Sequence, residues 1–333
     1  VTVTVAPSTG GRFLPALPAR GFVLGDDEAL GQGLVRITVE QFDRAIYGLT
    51  EGEDVDAAVH EARKAMKRLR AVLRLVRAEI GERAYRFENG TLRDTARLIA
   101  PVRDGAVLAA TVAALRRRFE RFLSADAFLG LELGLTERAA AMREAVVGDQ
   151  RILEGVVGSL QAARTRYLAW PVDEGQRTRG RRPIRHSFDA IGPGLRETYG
   201  RGRREMHEAM TRPSTESFHL WRKRVKYLRH QIECLDPLWP EVMTPLAGAL
   251  DRLGEMLGTE HDLAEFVRLL GEQPDLCPDP IERALAAALA RQRRSELQMA
   301  AVALGTRVYA ERADRFTARI GGYWESREAT GPV

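Results

Sequence analysis

One basic motif occurs twice in this chain, and a duplicated unit constrains a fold more tightly than composition can. The copies are Val59-His60-Glu61-Ala62-Arg63-Lys64-Ala65-Met66-Lys67-Arg68-Leu69-Arg70 and Phe218-His219-Leu220-Trp221-Arg222-Lys223-Arg224-Val225-Lys226-Tyr227-Leu228-Arg229. Both follow apolar-His-x-x-Arg-Lys-x-apolar-Lys-x-Leu-Arg. Their spacing, 219 − 60 = 159 residues, is nearly half of the 333-residue chain. The only four lysines among the 51 basic residues pair across the copies, Lys64 with Lys223 and Lys67 with Lys226. A chain that otherwise writes its cations as arginine has placed lysine at four equivalent positions, so coincidence explains the repeat poorly.

The correspondence extends beyond the motif. Arg44 and Arg203 each lie sixteen residues before their histidine (60 − 44 and 219 − 203). Downstream, Ala96-x-Leu98 leads to Asp104 as Gly254-x-Met256 leads to Asp262, with an offset of 262 − 104 = 158. The expected architecture is two homologous helical bundles facing one another across a pseudo-twofold axis, with a basic groove or pore between them. The halves are placed at 26–168 and 187–325, joined by an Arg/Pro/Gly-rich linker at 169–186 and preceded by a flexible tail over 1–25.

Apolar residues recur at helical spacing almost throughout, and sustained period-two alternation is absent outside the first few residues, which predicts an all-α fold. Helices are expected near 27–49, 55–79, 83–99, 103–122 and 135–168, then near 187–210, 215–235, 240–257, 260–271, 279–303 and 306–320. Asp54 and Ser214 stand where each motif helix needs an N-cap. A hydrophobic content of 44% supports a core. Cys234 and Cys277 show neither CxxC spacing nor a clustered histidine, which argues against a zinc or redox site and for a reducing, cytoplasmic setting. The expectation is no membrane span and no export, because no long apolar run or leader pattern occurs. The net charge of +5 is modest. Its distribution matters more: cations concentrate at 63–77, 116–121, 177–185, 196–204 and 222–229.

At about 100° per residue, His60, Arg63, Lys64, Lys67 and Arg74 share one arc, opposite Met66, Leu69, Leu73 and Val76. His219, Arg222, Lys223 and Lys226 share the equivalent arc, opposite Trp221, Val225, Leu228 and Ile232. Such a stripe on a single helix is commonly just a solvated face. Here acids at i+4 are scarce, so like charges adjoin at a cost of a few tenths of a kcal/mol per pair, and both copies keep the arrangement. These observations point to anion binding, with arginine offering a bidentate fork and lysine a mobile point charge to phosphate oxygens. Arg44 and Arg203, on the preceding helices, are candidates to widen the stripe into a groove, as are Arg201 and Arg204. His60 and His219 either donate to phosphate, kept neutral by neighbouring cations, or serve only as packing or capping residues. Asp104 and Asp262 read as organisers of basic side chains or as helix caps. His261-Asp262 resembles a metal phosphohydrolase dipeptide, but the first copy has Arg103-Asp104, so no metal ligand and no catalytic residue is assigned.

With these motifs, the chain resembles the CHAD domain, the conserved-histidine α-helical domain, over about residues 27–320. The resemblance implies a helical, pseudo-twofold domain that binds inorganic polyphosphate at a basic surface or pore and is associated with polyphosphate granules. Carried onto this sequence, the implied contacts are His60, Arg63, Lys64 and Lys67 with His219, Arg222, Lys223 and Lys226, and less directly Arg44 and Arg203. Some such domains are joined to a triphosphate-hydrolysing CYTH domain. The present sequence has no strand-rich ExExK segment, so no triphosphatase activity is inherited.

Three functions compete. The preferred one is non-enzymatic polyphosphate binding without a cofactor. Its rival is weak binding of a nucleic-acid backbone, for which base readout would want polar or aromatic groups on the basic face; Trp221 instead projects to the apolar side. An enzyme of polyphosphate or nucleotide metabolism is third, because the motif helices carry no paired metal-holding carboxylates or nucleophile, and there is no P-loop.

Overall fold

The two motif helices begin where their caps require. Asp54 accepts hydrogen bonds from the backbone N–H of Asp56 and Ala57. Ser214 and Ser217 form a reciprocal capping box. In the computed structural model, which describes residues 21–172 and 182–330, these caps open α2 (Val55–Leu75) and α9 (Thr215–Cys234). Each helix buries the apolar face read from the sequence. Val59, Met66 and Leu69 are fully buried on α2, as are Trp221, Val225, Leu228 and Ile232 on α9.

Around them lie α1 (Leu30–Glu51), α3 (Arg77–Ile80), α4 (Glu82–Leu98), α5 (Ala100–Arg118), α6 (Leu129–Val147) and α7 (Gln150–Leu168). The chain continues with α8 (Gly192–Thr211), α10 (Pro240–Glu272), α11 (Pro280–Val308) and α12 (Ala313–Thr330). Among the described residues there are twelve α-helices and no strand, so the fold is all-α.

Several boundaries differ from expectation for local reasons. The single helix expected over 135–168 is two, because Asp149 takes an extended backbone and caps α7 by accepting from the Arg151 N–H. Conversely, the helices expected at 240–257 and 260–271 are one, α10. Its first-half counterpart is broken into α4 and α5, bent by 58°, with Pro101 in the first turn of α5. At the 158-residue offset Pro101 corresponds to Thr259, which keeps its N–H and lets α10 run on. Likewise α11 continues to Val308, and α12 starts only at Ala313.

The apolar faces assemble three cores. One belongs to the first half, with Phe42, Val59, Met66, Leu69 and Leu160. The other two join the halves: Ile37, Val72 and Leu75 pack with Trp221, Leu228 and Leu253, and Leu115, Leu131 and Leu135 pack with Phe266, Leu269 and Leu297. Each such side chain stabilises by roughly 1.5–3 kcal/mol, so the halves hold one another rather than standing as self-contained bundles. α2 packs on both α8 and α9. Gln231 of α9 donates a buried hydrogen bond to the Ala71 carbonyl of α2 at 3.1 Å. Gly194 of α8 lies so close to the carbonyls of Arg74 and Leu75 that a Cβ there has no room.

Packing begins before α1. Phe22 and Leu24, inside the expected tail, are buried, and the Leu24 N–H donates to the Cys234 carbonyl at 3.0 Å. Residues 1–20 of that tail and 173–181 of the expected linker lie outside the described residues. At the described end of the linker, Ile184 is buried and Arg185 pairs with Glu79 at 2.6 Å. No single helix among the described residues is long and apolar enough to cross a membrane, although the bent α4–α5 pair passes that test jointly.

Candidate anion-binding site

Packing α2 against α9 brings the cationic faces of both motif copies together. Arg63 and Lys67 from α2 meet Arg222 and Lys226 from α9 closely enough that each lysine feels Arg222 and Lys226 feels Lys67. Gly254 and Gly258 of α10 lie beneath this meeting point, facing Val225 and Lys226, and Arg222, respectively.

The charges are held at a strain that their acid–base behaviour reports. Burial, then Arg63 and Arg222, pushes Lys67 down to about 8 against the opposing pull of Asp104. Lys226 falls to about 7 through burial, then Arg222 and Lys67, against Glu255 and Asp262. Burial lowers Arg63 and Arg222 as well. It raises Asp262, although Arg222 and Lys226 pull the other way.

The carboxylates partly organise the cations. Arg63 Nη2 donates to Asp104 Oδ1 at a long 3.4 Å, and Asp262 is the foremost carboxylate felt by Arg222. Neither completes the hydrogen bonding. Arg63 Nη1, Arg222 Nε, His219 Nδ1 and His261 Nδ1 are all buried without a hydrogen-bond partner. Buried donors are normally paired, and an unpaired one costs about 1–3 kcal/mol. Four such nitrogens around one cationic cluster are what a multidentate oxyanion would satisfy.

The remaining expected residues distribute unevenly. His60 is exposed beside Arg103, Lys64 and Lys67, and burial then Arg103 lowers its pKa below 6.5. His219 is half-buried with its ring centroid 4.6 Å from that of His261, and burial then Lys223 lowers its pKa. Burial and Arg222 push His261 down to about 4. All three rings are therefore neutral near pH 7. Lys64 lies at the rim, 3.4 Å from Glu61, and Lys223 is exposed. Arg44 is exposed and sits by Arg68, on a different side of α2, while Arg203 is exposed by Tyr199. These two arginines are not gathered into the cluster. Sequence reasoning passed over Arg103, Glu255 and His261 as site members. Arg103 and His261 stand at corresponding positions at the 158-residue offset, and only His261 carries an imidazole.

Among the described residues, no three His, Cys, Asp or Glu side chains are grouped to hold a metal ion. The arrangement as a whole is that of an all-α protein with a buried cationic seam between two repeated helices. The chain belongs to the CHAD domain family, whose model matches residues 34–271. It is similar to the crystal structure of the CHAD domain from the plant Ricinus communis, with a TM-score of 0.61 at 19% identity, over 87% of this chain and 95% of that one. At that identity the likeness speaks for the fold alone. No curated protein matches the sequence significantly.

Proposed function

We propose that this chain binds inorganic polyphosphate non-enzymatically along the seam between α2 and α9. The observation that carries the reading is the set of four buried, unpartnered nitrogens on Arg63, Arg222, His219 and His261 around the depressed lysines Lys67 and Lys226. A polyanion supplies acceptors to the two arginine N–H groups, and to the two imidazoles in their Nδ1–H tautomer, and counter-charge to the lysines in one event. The CHAD family is linked to polyphosphate binding in general, which supports the same ligand class.

Lys64 and Lys223 extend the cationic surface outward from the seam, with the neutral His60 ring beside them as a hydrogen-bonding group, which suits a repeating anion more than a single small one. Arg44 and Arg203 contribute at most at a distance. The parallel helix order of the two halves and the α10 counterpart of α4 and α5 support the duplication. The matching location is the polyphosphate granule within the cytoplasm.

Binding of labelled long-chain polyphosphate to wild type and to Lys67→Met/Lys226→Met, with folding checked by circular dichroism, tests the reading. Tight, salt-sensitive binding that the folded variant loses is expected. Absent wild-type binding refutes it. Preference for DNA at matched phosphate concentration favours the nucleic-acid alternative, and phosphate release on adding Mg²⁺ favours an enzyme.

A further inference from the structure

Two helical turns beyond Lys67, about 10 Å along α2, Arg74 enters a second cationic pocket that the seam does not use. It is lined by Arg74 (α2), Arg77 (α3), Tyr85 (α4), Glu197, Thr198 and Arg201 (α8), with Arg224 and Tyr227 (α9). Four guanidinium groups from four helices thus line the pocket with one carboxylate, Glu197, while Glu82, just outside the lining, accepts from Arg77 Nε at 2.8 Å. Glu197 is shared: it lies 3.3 Å from Arg77 and 2.5 Å from Arg201. Glu205 is 3.7 Å from Arg224, too far for a hydrogen bond, and the buried Arg224 Nε has no hydrogen-bond partner.

Arg74 is held differently. Its guanidinium carbon stacks 3.8 Å from the Tyr227 ring centroid and 5.9 Å from that of Tyr85. Nη1 donates to the Arg70 carbonyl at 2.7 Å. No carboxylate lies within ion-pair distance of it among the described residues. Stacking on two tyrosines fixes the plane of the fork and leaves its charge uncompensated. The central cavity is about 20 Å³, room for about one water-sized atom. An oxyanion can seat one oxygen there and present the rest at the mouth, where Arg77 and Arg201 are partly exposed.

We propose that the pocket between Arg74, Arg77, Arg201 and Arg224 is a second anion site that seats a single phosphoryl group. That group comes either from free inorganic phosphate or from the end of a polyphosphate chain on the seam. Planar guanidinium forks give bidentate recognition of phosphate oxygens, whereas the seam opposes lysine to lysine. The pocket shares no side chain with the lysine seam, so the free-phosphate source stands without the seam reading, whereas the chain-end source rests on it.

Calorimetric titration of the full chain with inorganic phosphate, and separately with long-chain polyphosphate, tests this on four proteins. They are wild type, Arg201→Gln, Glu197→Gln and Lys67→Met/Lys226→Met. If the source is free phosphate, wild type binds inorganic phosphate, Arg201→Gln weakens it about tenfold, and the lysine variant leaves it unchanged. If the source is a chain end, inorganic phosphate does not bind and Arg201→Gln weakens only the polymer. Under either source Glu197→Gln tightens binding, because it removes the competing carboxylate, a gain that misfolding cannot mimic. The proposal is overturned if Glu197→Gln tightens neither ligand, or if inorganic phosphate binding disappears in the lysine variant. Failure of the seam reading is separate: polymer binding that survives the lysine substitutions.

Discussion

Filling the seam with a polyanion should draw protons from solution, and the structure sets how many. Lys226 faces Arg222 on its own helix, Lys67 on α2, and Glu255 and Asp262 on α10, and its pKa is about 7. Lys67 faces Arg63, Arg222 and Arg103 against Asp104, with a pKa of about 8. At pH 8 the free protein therefore lacks about 1.4 protons across the pair, and at pH 6 about 0.1. A bound polyphosphate restores both lysines toward their ordinary 10.5, so binding at pH 8 takes up about 1.4 protons. Integrated from pH 6 to 8, this linkage weakens the affinity by about 20-fold. His60, His219 and His261, also depressed, add uptake of the same sign on the acid side.

The assay is calorimetry at pH 8 in buffers of different ionisation enthalpy, where the slope of observed against buffer enthalpy gives the proton count. Long polymer is the right ligand because its internal phosphates keep a fixed charge. Lys226→Met should cut the uptake to about 0.5 proton. An uptake near zero at pH 8, or an affinity flat from pH 6 to 8, would refute the argument that the two lysines share a desolvated field. The same shifts act on folding with the opposite sense. Unfolded, both lysines hold their protons to about 10.5, so from about pH 7 upward the unfolded state binds more protons and the ligand-free protein gains stability. Its Tm should rise from pH 6.5 to 9, and polyphosphate should raise it most at the acid end.

Two sites test the scaffold on the ligand-free protein. Glu260 is 1% exposed and accepts from Arg294 at 2.7 Å and Gln298 at 2.8 Å. Arg294→Met should destabilise by about 3 kcal/mol in denaturant unfolding, and Arg294→Met/Glu260→Met should recover much of that loss, since it leaves no unpaired buried charge. Gly194→Ala places a Cβ against the Arg74 and Leu75 carbonyls, and should cost about 1–3 kcal/mol by urea titration. Unaltered stability would mean that α8 can move off α2 freely.

What the sequence disclosed and what it hid divide along a physical line. Amphipathic period and caps are local, so the starts of α2 and α9 were legible to the residue, with their buried Met66, Leu69, Trp221 and Leu228 faces, although α2 ends at Leu75 rather than at 79. Helix continuity at 257–260 was less so, because it turned on one residue: proline at 101 breaks the first-half helix, and threonine at 259 does not. The pairing of the two lysine faces followed from the repeat. Membership of the seam beyond the motif did not, because it depends on how α5 and α10 lean over α2 and α9. Arg44 and Arg203 matched in spacing yet point elsewhere, whereas Arg103 and His261 matched in position but not in type and stand at the seam. A repeat conveys which backbone positions are equivalent; which equivalent side chains converge is decided by the crossing of helices. That crossing has put two lysines beside Arg63 and Arg222 in the seam. Lysine can shed its proton when the seam is empty, which relieves the repulsion, whereas arginine cannot. The residue type that marks the repeated motif is thus also the one whose charge can be relieved inside the seam.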